Sequence, residues 1–157
     1  MRKIIYLLLL SQCLTIFTSG FAQGLSNKQK ISRLYNALNT NFKAADSVLY
    51  YETTNPAKNE NPHSWLWPLC AYIQAAEEME SVFPKGRYMK PVELAIEQYY
   101  NPEPLPAYQD YVLKERPSSK FYDDNQWIAI AYLDAYNRNH QKRYLKTAKM
   151  IYDFQLG

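Results

Sequence analysis

Apolar residues recur at steps of three and four along most of this chain, which is the spacing of one face of an α-helix. The clearest stripe lies in the first third of the chain, and its members are Ile31, Leu34, Tyr35, Leu38, Phe42, Ala45, Val48 and Leu49. This stripe predicts a first helix from about Ser26 to about Tyr51. The strict alternation of apolar and polar residues that marks a half-buried strand is hard to find. The pattern therefore predicts an all-α fold with no sheet.

Proline and glycine divide the rest of the chain into four further predicted helices. Asn55-Pro56 and Asn61-Pro62 interrupt the pattern before the second helix, and Pro84 and Gly86 end it. The predicted helices after the first cover about 64–82, 87–100, 124–137 and 142–156. Between the third and the fourth, residues 101–119 include four prolines. We expect a long ordered loop there, and such loops often carry function in compact domains.

The second and fourth predicted helices resemble each other in sequence. Residues 63–67 (HSWLW) align with 123–127 (DDNQW), and 71–75 (AYIQA) align with 131–135 (AYLDA) at the same spacing. Trp67 thereby matches Trp127. After a shorter connection, RYMK matches RYLK in the helices that follow. The chain therefore repeats a helical hairpin about every 60 residues, and repeated hairpins stack into solenoids or close into toroids.

The first 22 residues are typical of a secretory signal peptide. Residues 2–3 are basic, residues 4–17 are mostly apolar, and Gly20 and Ala22 place small side chains where a leader is cleaved. The apolar run is too short and too often interrupted by polar residues for a membrane span. We expect a mature chain of 23–157 that is exported to the periplasm or the cell exterior and has no membrane span.

The cysteines and the charge balance limit the possible partners. Cys13 follows Gln12 rather than the small residue that a lipoprotein site needs, so we do not expect lipidation. Cleavage leaves Cys70 alone, which predicts no internal disulfide and favours a small buried apolar role for it. Without the leader, 16 basic residues face 15 acidic ones. This balance gives no reason to expect nucleic acid or an anionic membrane surface as a partner.

The candidate chemistry lies in the stretch FYDDNQW, where Asp123 and Asp124 precede the body of the fourth helix. One interpretation is a helix cap, because Asp caps well and Asp123 with Gln126 would resemble a capping box. The other interpretation is catalytic. A cap needs one side chain, and the second carboxylate costs free energy because adjacent anions repel and one of the two pKa values should rise. Two carboxylates beside aromatic side chains suit a glycosidase.

Other kinds of site find little support in the sequence. The two histidines, His63 and His140, lie outside any zinc-binding motif, and a glycine-rich phosphate loop is absent from the sequence. We expect no metal and no cofactor. The 15 tyrosines and 3 tryptophans suit sugar stacking as well as core packing. Tyr122, Trp127 and His63 are the expected sugar contacts, His63 because the repeat places it at the corresponding helix start.

Three stretches resemble glycoside hydrolase family 76, the bacterial α-1,6-mannanases, in the family's order and at matching spacing. They are NPHSWLWPLCAYIQAAEEME (61–80), ELAIEQYY (93–100) and FYDDNQWIAIAYLDAY (121–136), the last followed by RYLKTAKMIYDFQLG. The resemblance implies an (α/α)6 toroid whose inner helices present the groove. It also implies a retaining glycosidase, with Asp123 as the nucleophile and Asp124 as the general acid and base.

The length of the chain departs from the resemblance, because a six-hairpin toroid needs roughly twice as many residues. We therefore expect 23–157 to form the N-terminal part of such a domain, with an incomplete toroid. Two functions from different classes follow. The first is a retaining hydrolase acting on α-1,6-linked mannan, or part of one. The second is a glycan-binding or structural helical-repeat protein without turnover.

Overall fold

The computed structural model describes residues 24–157, and the expected signal peptide with Cys13 lies outside them. The described residues belong to two units, 24–33 and 34–157. Within residues 24–157 there are five α-helices and one small sheet. The helices are α1 (Asn27–Phe42), α2 (Leu66–Val82), α3 (Met89–Ile96), α4 (Tyr122–Asn139) and α5 (Lys142–Leu156). Short 3-10 turns cover Pro56–Lys58 and Glu97–Tyr99. None of the helices in this part of the chain is long and apolar enough to cross a membrane.

The first helix ends about nine residues before its predicted end. After Phe42 the chain turns back on itself, and the Tyr51 N–H donates to the Phe42 carbonyl at 2.7 Å. Lys43 and Tyr50 form an isolated antiparallel bridge. The turn is possible because Asp46 takes a left-handed conformation (φ 53°), which Asp tolerates better than most residues. The apolar stripe continues past the end of the helix. Its last member, Leu49, reaches the core from the turn and not from a helix.

The prediction that the chain has no sheet was wrong in one place. Strands β1 (Tyr100–Asn101) and β2 (Ala107–Tyr108) pair antiparallel, with Tyr100 opposite Tyr108. Both lie at the start of the proline-rich segment that was expected to be an ordered loop. Beyond β2 the segment is irregular but well packed, since Tyr108, Tyr111 and Val112 are buried. The strand pair shapes the segment that leads into α4.

The two sequence repeats are two helical hairpins, α2–α3 and α4–α5, packed against each other within the unit 34–157. Tyr72 and Tyr132, which match in the repeat, are both buried, whereas Trp67 and Trp127 are both exposed. Arg138 near the end of α4 pairs with Glu77 and Glu80 of α2. The predicted all-α class with repeated hairpins is therefore confirmed, apart from the two-residue strands.

Candidate functional site

An open cleft lies where the start of α4 meets the start of α2. Its volume is about 500 Å3, and the residues lining it are Trp65, Trp67, Asp110, Phe121, Asp123 and Asp124. Three aromatic side chains and three carboxyl groups thus face one space. The size and the aromatic lining suit a polar ligand with flat apolar faces, such as a sugar ring.

The helix start is not capped in the predicted way. The first helical residue is Tyr122 and the N-cap is Phe121, so Asp123 and Asp124 occupy the second and third helical positions. Among the described residues, no side chain makes a cap hydrogen bond at this end of α4. The Ser64 residue that matches Asp124 in the repeat does not cap α2 either, since it lies outside the helix and its hydroxyl donates to the Trp65 carbonyl. The capping interpretation of the aspartate pair is therefore wrong.

The two adjacent carboxyl groups have different environments. Asp123 is exposed, whereas Asp124 is only 8% exposed. Burial, together with the smaller effects of the Asp123 and Asp110 charges, raises the pKa of Asp124 from 3.8 to about 6. A helix N-terminus stabilises an anion by about 0.3–1 kcal/mol. A rise of about two pKa units means that the ionised carboxyl is destabilised by more than that amount. The site therefore keeps Asp124 at a cost in stability.

Neither carboxyl group has a hydrogen-bonding role in the fold. Within residues 24–157, the side chains of Asp123 and Asp124 accept no hydrogen bond from another residue. The contact at Asp124 is to its backbone, where the buried Cys70 thiol donates to the carbonyl oxygen at 3.3 Å. The Asp124 oxygens are not among the buried unpartnered polar atoms of residues 24–157, so they reach the open cleft, where water or a ligand can contact them. A carboxyl with a raised pKa in a cleft is a candidate functional group.

Asn125, the next residue of α4, holds the helix start in place. Its side-chain oxygen accepts from the Tyr108 N–H at 2.9 Å, and its amide nitrogen donates to the Tyr108 carbonyl at 2.8 Å. The same nitrogen donates to the Phe121 carbonyl at 2.8 Å. Asn125 is fully buried, so these bonds are shielded from water. The first turn of α4 is thereby fixed to β2.

Lys120 fixes the segment just before the aspartate pair. Its ammonium group donates to the carbonyls of Asn101, Glu103 and Leu105 at 2.5–2.8 Å. Partial burial lowers the pKa of Lys120, although Glu103 acts in the opposite direction. These three hydrogen bonds connect the β1–β2 loop to the residue just before α4. The wall of the cleft and the carboxyl pair are therefore held together by direct contacts.

The aromatic wall of the cleft combines one fixed side chain with two exposed ones. The Trp65 ring meets the Tyr111 ring edge-on at 5.1 Å, and the Arg116 guanidinium lies 5.0 Å from the Trp65 centroid. The Trp65 N–H of the backbone donates to Glu52 at 3.0 Å. Trp67 is 63% exposed and Phe121 is 48% exposed. Large apolar surfaces exposed beside a cleft favour a binding role over a core role.

The three predicted sugar contacts do not line this cleft. Tyr122 packs its ring on Phe154 of α5 at 5.1 Å between centroids. Trp127 is exposed one turn further along α4. The Nδ1 atom of His63 lies 2.5 Å from a Glu115 carboxylate oxygen, and its ring stacks parallel to Tyr51. The cleft therefore brings together Asp123 and Asp124 but none of these three, whose contacts with sugar stay predictions.

Three aromatic residues and one carboxylate of the cleft were not among the predicted site residues. Trp65 and Trp67 had a signal, since they follow closely after the repeat positions that match the aspartate pair. Phe121 directly precedes α4. Asp110 had no signal, because it lies in the proline-rich segment and reaches the cleft through the folding of that segment. No group of three or more His, Cys, Asp or Glu residues within 24–157 is arranged to hold a metal ion.

Comparison with known proteins identifies the fold. No protein-family model and no curated protein matches the chain. Similar solved structures are the family 76 glycoside hydrolase (mannosidase) Bt3792 from Bacteroides thetaiotaomicron VPI-5482 (17% identity, TM-score 0.66), the GH76 α-mannanase BT2949 of Bacteroides thetaiotaomicron (22%, 0.62), and a family 76 glycoside hydrolase from a bovine Bacteroides thetaiotaomicron strain (17%, 0.59).

These matches cover most of this chain but a minor part of the other proteins. They include 83%, 83% and 82% of this chain, and 38%, 37% and 29% of the respective structures. The chain thus spans less than two fifths of the length of the hydrolases it matches. At these identities the likeness establishes the fold. The resemblance seen in the sequence is confirmed at that level: the chain has the helical-hairpin fold of part of a family 76 glycoside hydrolase.

Proposed function

We propose that the chain is a retaining glycoside hydrolase acting on α-1,6-linked mannan, or a part of one. The observation that carries the proposal is the environment of Asp124. Its carboxyl is largely buried, has a pKa raised to about 6, and lies next to the exposed Asp123 in an aromatic-lined cleft. A retaining glycosidase needs two carboxyl groups of this kind, one protonated and one ionised, in the same site.

The different environments support the roles that the family resemblance implies for the two aspartates. Asp123 acts as the nucleophile: its oxygen forms a bond to the anomeric carbon while the glycosidic bond to the leaving oxygen breaks. Asp124 gives its proton to that oxygen, so the leaving sugar departs as a neutral alcohol. In the second step the Asp124 carboxylate takes a proton from water. The resulting hydroxide oxygen bonds to the anomeric carbon, and Asp123 leaves as a carboxylate. Both groups return to their starting states.

Sequence motifs and the similar structures support the linkage, and the N-terminal sequence supports the location. The α-1,6 linkage follows from the sequence motifs that resemble α-1,6-mannanases, and two of the similar structures are a mannosidase and an α-mannanase. We propose action outside the cytoplasm because residues 1–22 have the pattern of a signal peptide. Mass spectrometry of the exported protein checks this location. A first residue near Gln23 supports it, and a retained Met1 contradicts it.

The proposal is tested by hydrolysis of mannobiosides linked α-1,6, α-1,3 and α-1,2, each assayed with the wild-type chain and three variants. Asp123→Asn and Asp124→Asn remove one charge each at nearly constant shape. Asp134→Asn is the matched control, because Asp134 is an exposed aspartate further along α4. We expect α-1,6 hydrolysis by the wild type and the control, and losses on the order of 10³-fold in the two other variants.

Two outcomes contradict the proposal. Wild-type activity in Asp123→Asn and Asp124→Asn would remove both residues from the chemistry. Binding of mannan that is the same in all four proteins, without hydrolysis in any of them, would instead establish the glycan-binding function. A thermal melt of each variant distinguishes a loss of activity from a loss of folding.

A further inference from the structure

A third carboxylate, Asp110, is built into the wall of the same cleft. Its backbone N–H donates to the Ser119 carbonyl at 2.7 Å, and its carbonyl accepts from the Leu66 N–H at 2.9 Å. The Ser118 hydroxyl donates to the Asp110 side-chain oxygen Oδ1. The residue is therefore held between the first residue of α2 and the segment before α4. Its carboxylate is fixed in direction as well as in place.

Three titratable groups approach Asp124 from different parts of the fold, and two of them carry a negative charge. On its own helix it meets the Asp123 carboxyl, and from the segment after β2 it meets Asp110. From α2 it meets the Cys70 thiol, which is neutral because burial raises its pKa far above the neutral range. None of the described residues lining the cleft is a lysine, arginine or histidine. The negative charge of Asp110 is therefore not offset by a cation among the residues that line the cleft, and it adds to the effects of burial and of Asp123 in raising the pKa of Asp124.

We propose that Asp110 is a positioning residue for the hydrolase proposed above: held by Ser118 at the cleft wall, its carboxylate keeps the neighbouring Asp124 in the proton-donating form. The catalytic part of this inference rests on the proposed function. The electrostatic part does not, because it concerns the protonation of Asp124 in the free protein. Asp110 touches neither of the reacting atoms in this scheme. Beside burial and the charge of Asp123, which contribute more, it extends the pH range over which the acid holds its proton.

The inference predicts a specific change in the pH profile. Without Asp110, one of the two like charges near Asp124 is gone, so the pKa of Asp124 falls. The acid is then lost at a lower pH, and the basic limb of kcat/KM moves down the pH scale. A residue with a merely structural role would lower activity at every pH and leave the limb where it is.

The direct test is an NMR titration of the aspartate side-chain carboxyl carbons in the full chain, labelled with carbon-13. The Asp124→Asn variant identifies the Asp124 signal. We expect its midpoint to fall by on the order of half a pH unit in Asp110→Asn and to return towards the wild-type value in Asp110→Glu. Asp134→Asn is the control. It removes the same charge about 15 Å away along α4, beyond the screening length, so the midpoint should not move.

The variants separate this inference from a folding defect. Asp110→Asn keeps an oxygen that accepts the Ser118 hydrogen bond, so the loop geometry should persist. If that variant fails to fold, Ser118→Ala frees the carboxylate without removing it, and the Asp124 midpoint should fall by a smaller amount. An unchanged midpoint in Asp110→Asn, or in Ser118→Ala where that variant replaces it, overturns the inference.

The same data distinguish failure of the inference from failure of the proposed function. If the Asp124 midpoint falls in Asp110→Asn but the wild type hydrolyses no mannoside, the electrostatic role stands and the hydrolase proposal fails. If the wild type is active and the midpoint is unchanged, the hydrolase proposal stands and Asp110 has no part in it.

Discussion

Asp123 and Asp124 are consecutive residues of one helical turn, yet one side chain is exposed and the other is largely buried. The rotation of about 100° per residue in an α-helix explains the difference. Both carboxyl groups line the cleft, but Asp123 is open to solvent whereas Asp124 is packed against neighbouring residues. Helix geometry thus separates the properties of two chemically identical groups.

The buried carboxyl makes stability depend on pH in a direction opposite to that of most aspartates. The pKa of Asp124 is 3.8 in the unfolded reference and about 6 in the folded chain. Between these values the folded state binds more protons, so the free energy of unfolding falls as pH rises. The contribution of Asp124 is full below pH 3.8 and is lost as pH passes about 6, by about 3 kcal/mol at most.

Asp124→Asn removes this dependence. Because other carboxylates also titrate, the informative quantity is the difference in unfolding free energy between wild type and variant, measured by urea denaturation from pH 4 to pH 8. We expect the variant to gain on the wild type as pH rises and to be the more stable protein at pH 7. A constant difference across this range would show that Asp124 is not perturbed. Asp134→Asn serves as the charge-matched control.

Asn125 is predicted to be the most sensitive polar position near the cleft. Asn125→Asp keeps the acceptor for the Tyr108 N–H but loses both donated bonds and places an anion beside two carbonyl oxygens. We expect a loss of on the order of 3 kcal/mol in unfolding free energy at pH 7. Asn137→Ala, an exposed change on the same helix, should stay within about 0.5 kcal/mol. Equal effects of the two changes would contradict this role of Asn125.

Cys70 is predicted to be unreactive in the folded chain. It is 3% exposed, burial raises the pKa of its thiol, and the thiol donates to Asp124. Because the thiolate is the reactive form, a thiol reagent at pH 8 should label the native protein slowly and the urea-unfolded protein at once. Fast labelling under native conditions would mean that the α2–α4 contact opens readily.

The sequence predicted the helices well where periodicity and helix breakers agree, as in α2, α4 and α5. It failed after Phe42, because the apolar residues up to Leu49 keep helical spacing although the chain forms a tight turn at Asp46, from which Leu49 is buried. The aspartate pair stood out because two adjacent acids exceed what a cap needs. Asp110 could not be found in this way, since Asn125 and Lys120 bring its segment to the cleft through contacts distant in sequence.

The most direct test of hydrolysis at this cleft is the stereochemistry of the first product. Proton NMR of an α-1,6-linked mannobioside, recorded within minutes of adding the full chain, distinguishes the α- from the β-anomer of the released mannose before they interconvert. A retaining mechanism with Asp123 as nucleophile predicts that the α-anomer appears first and that Asp123→Asn releases none. Early appearance of the β-anomer, or the same release by the Asp123→Asn variant, would contradict it.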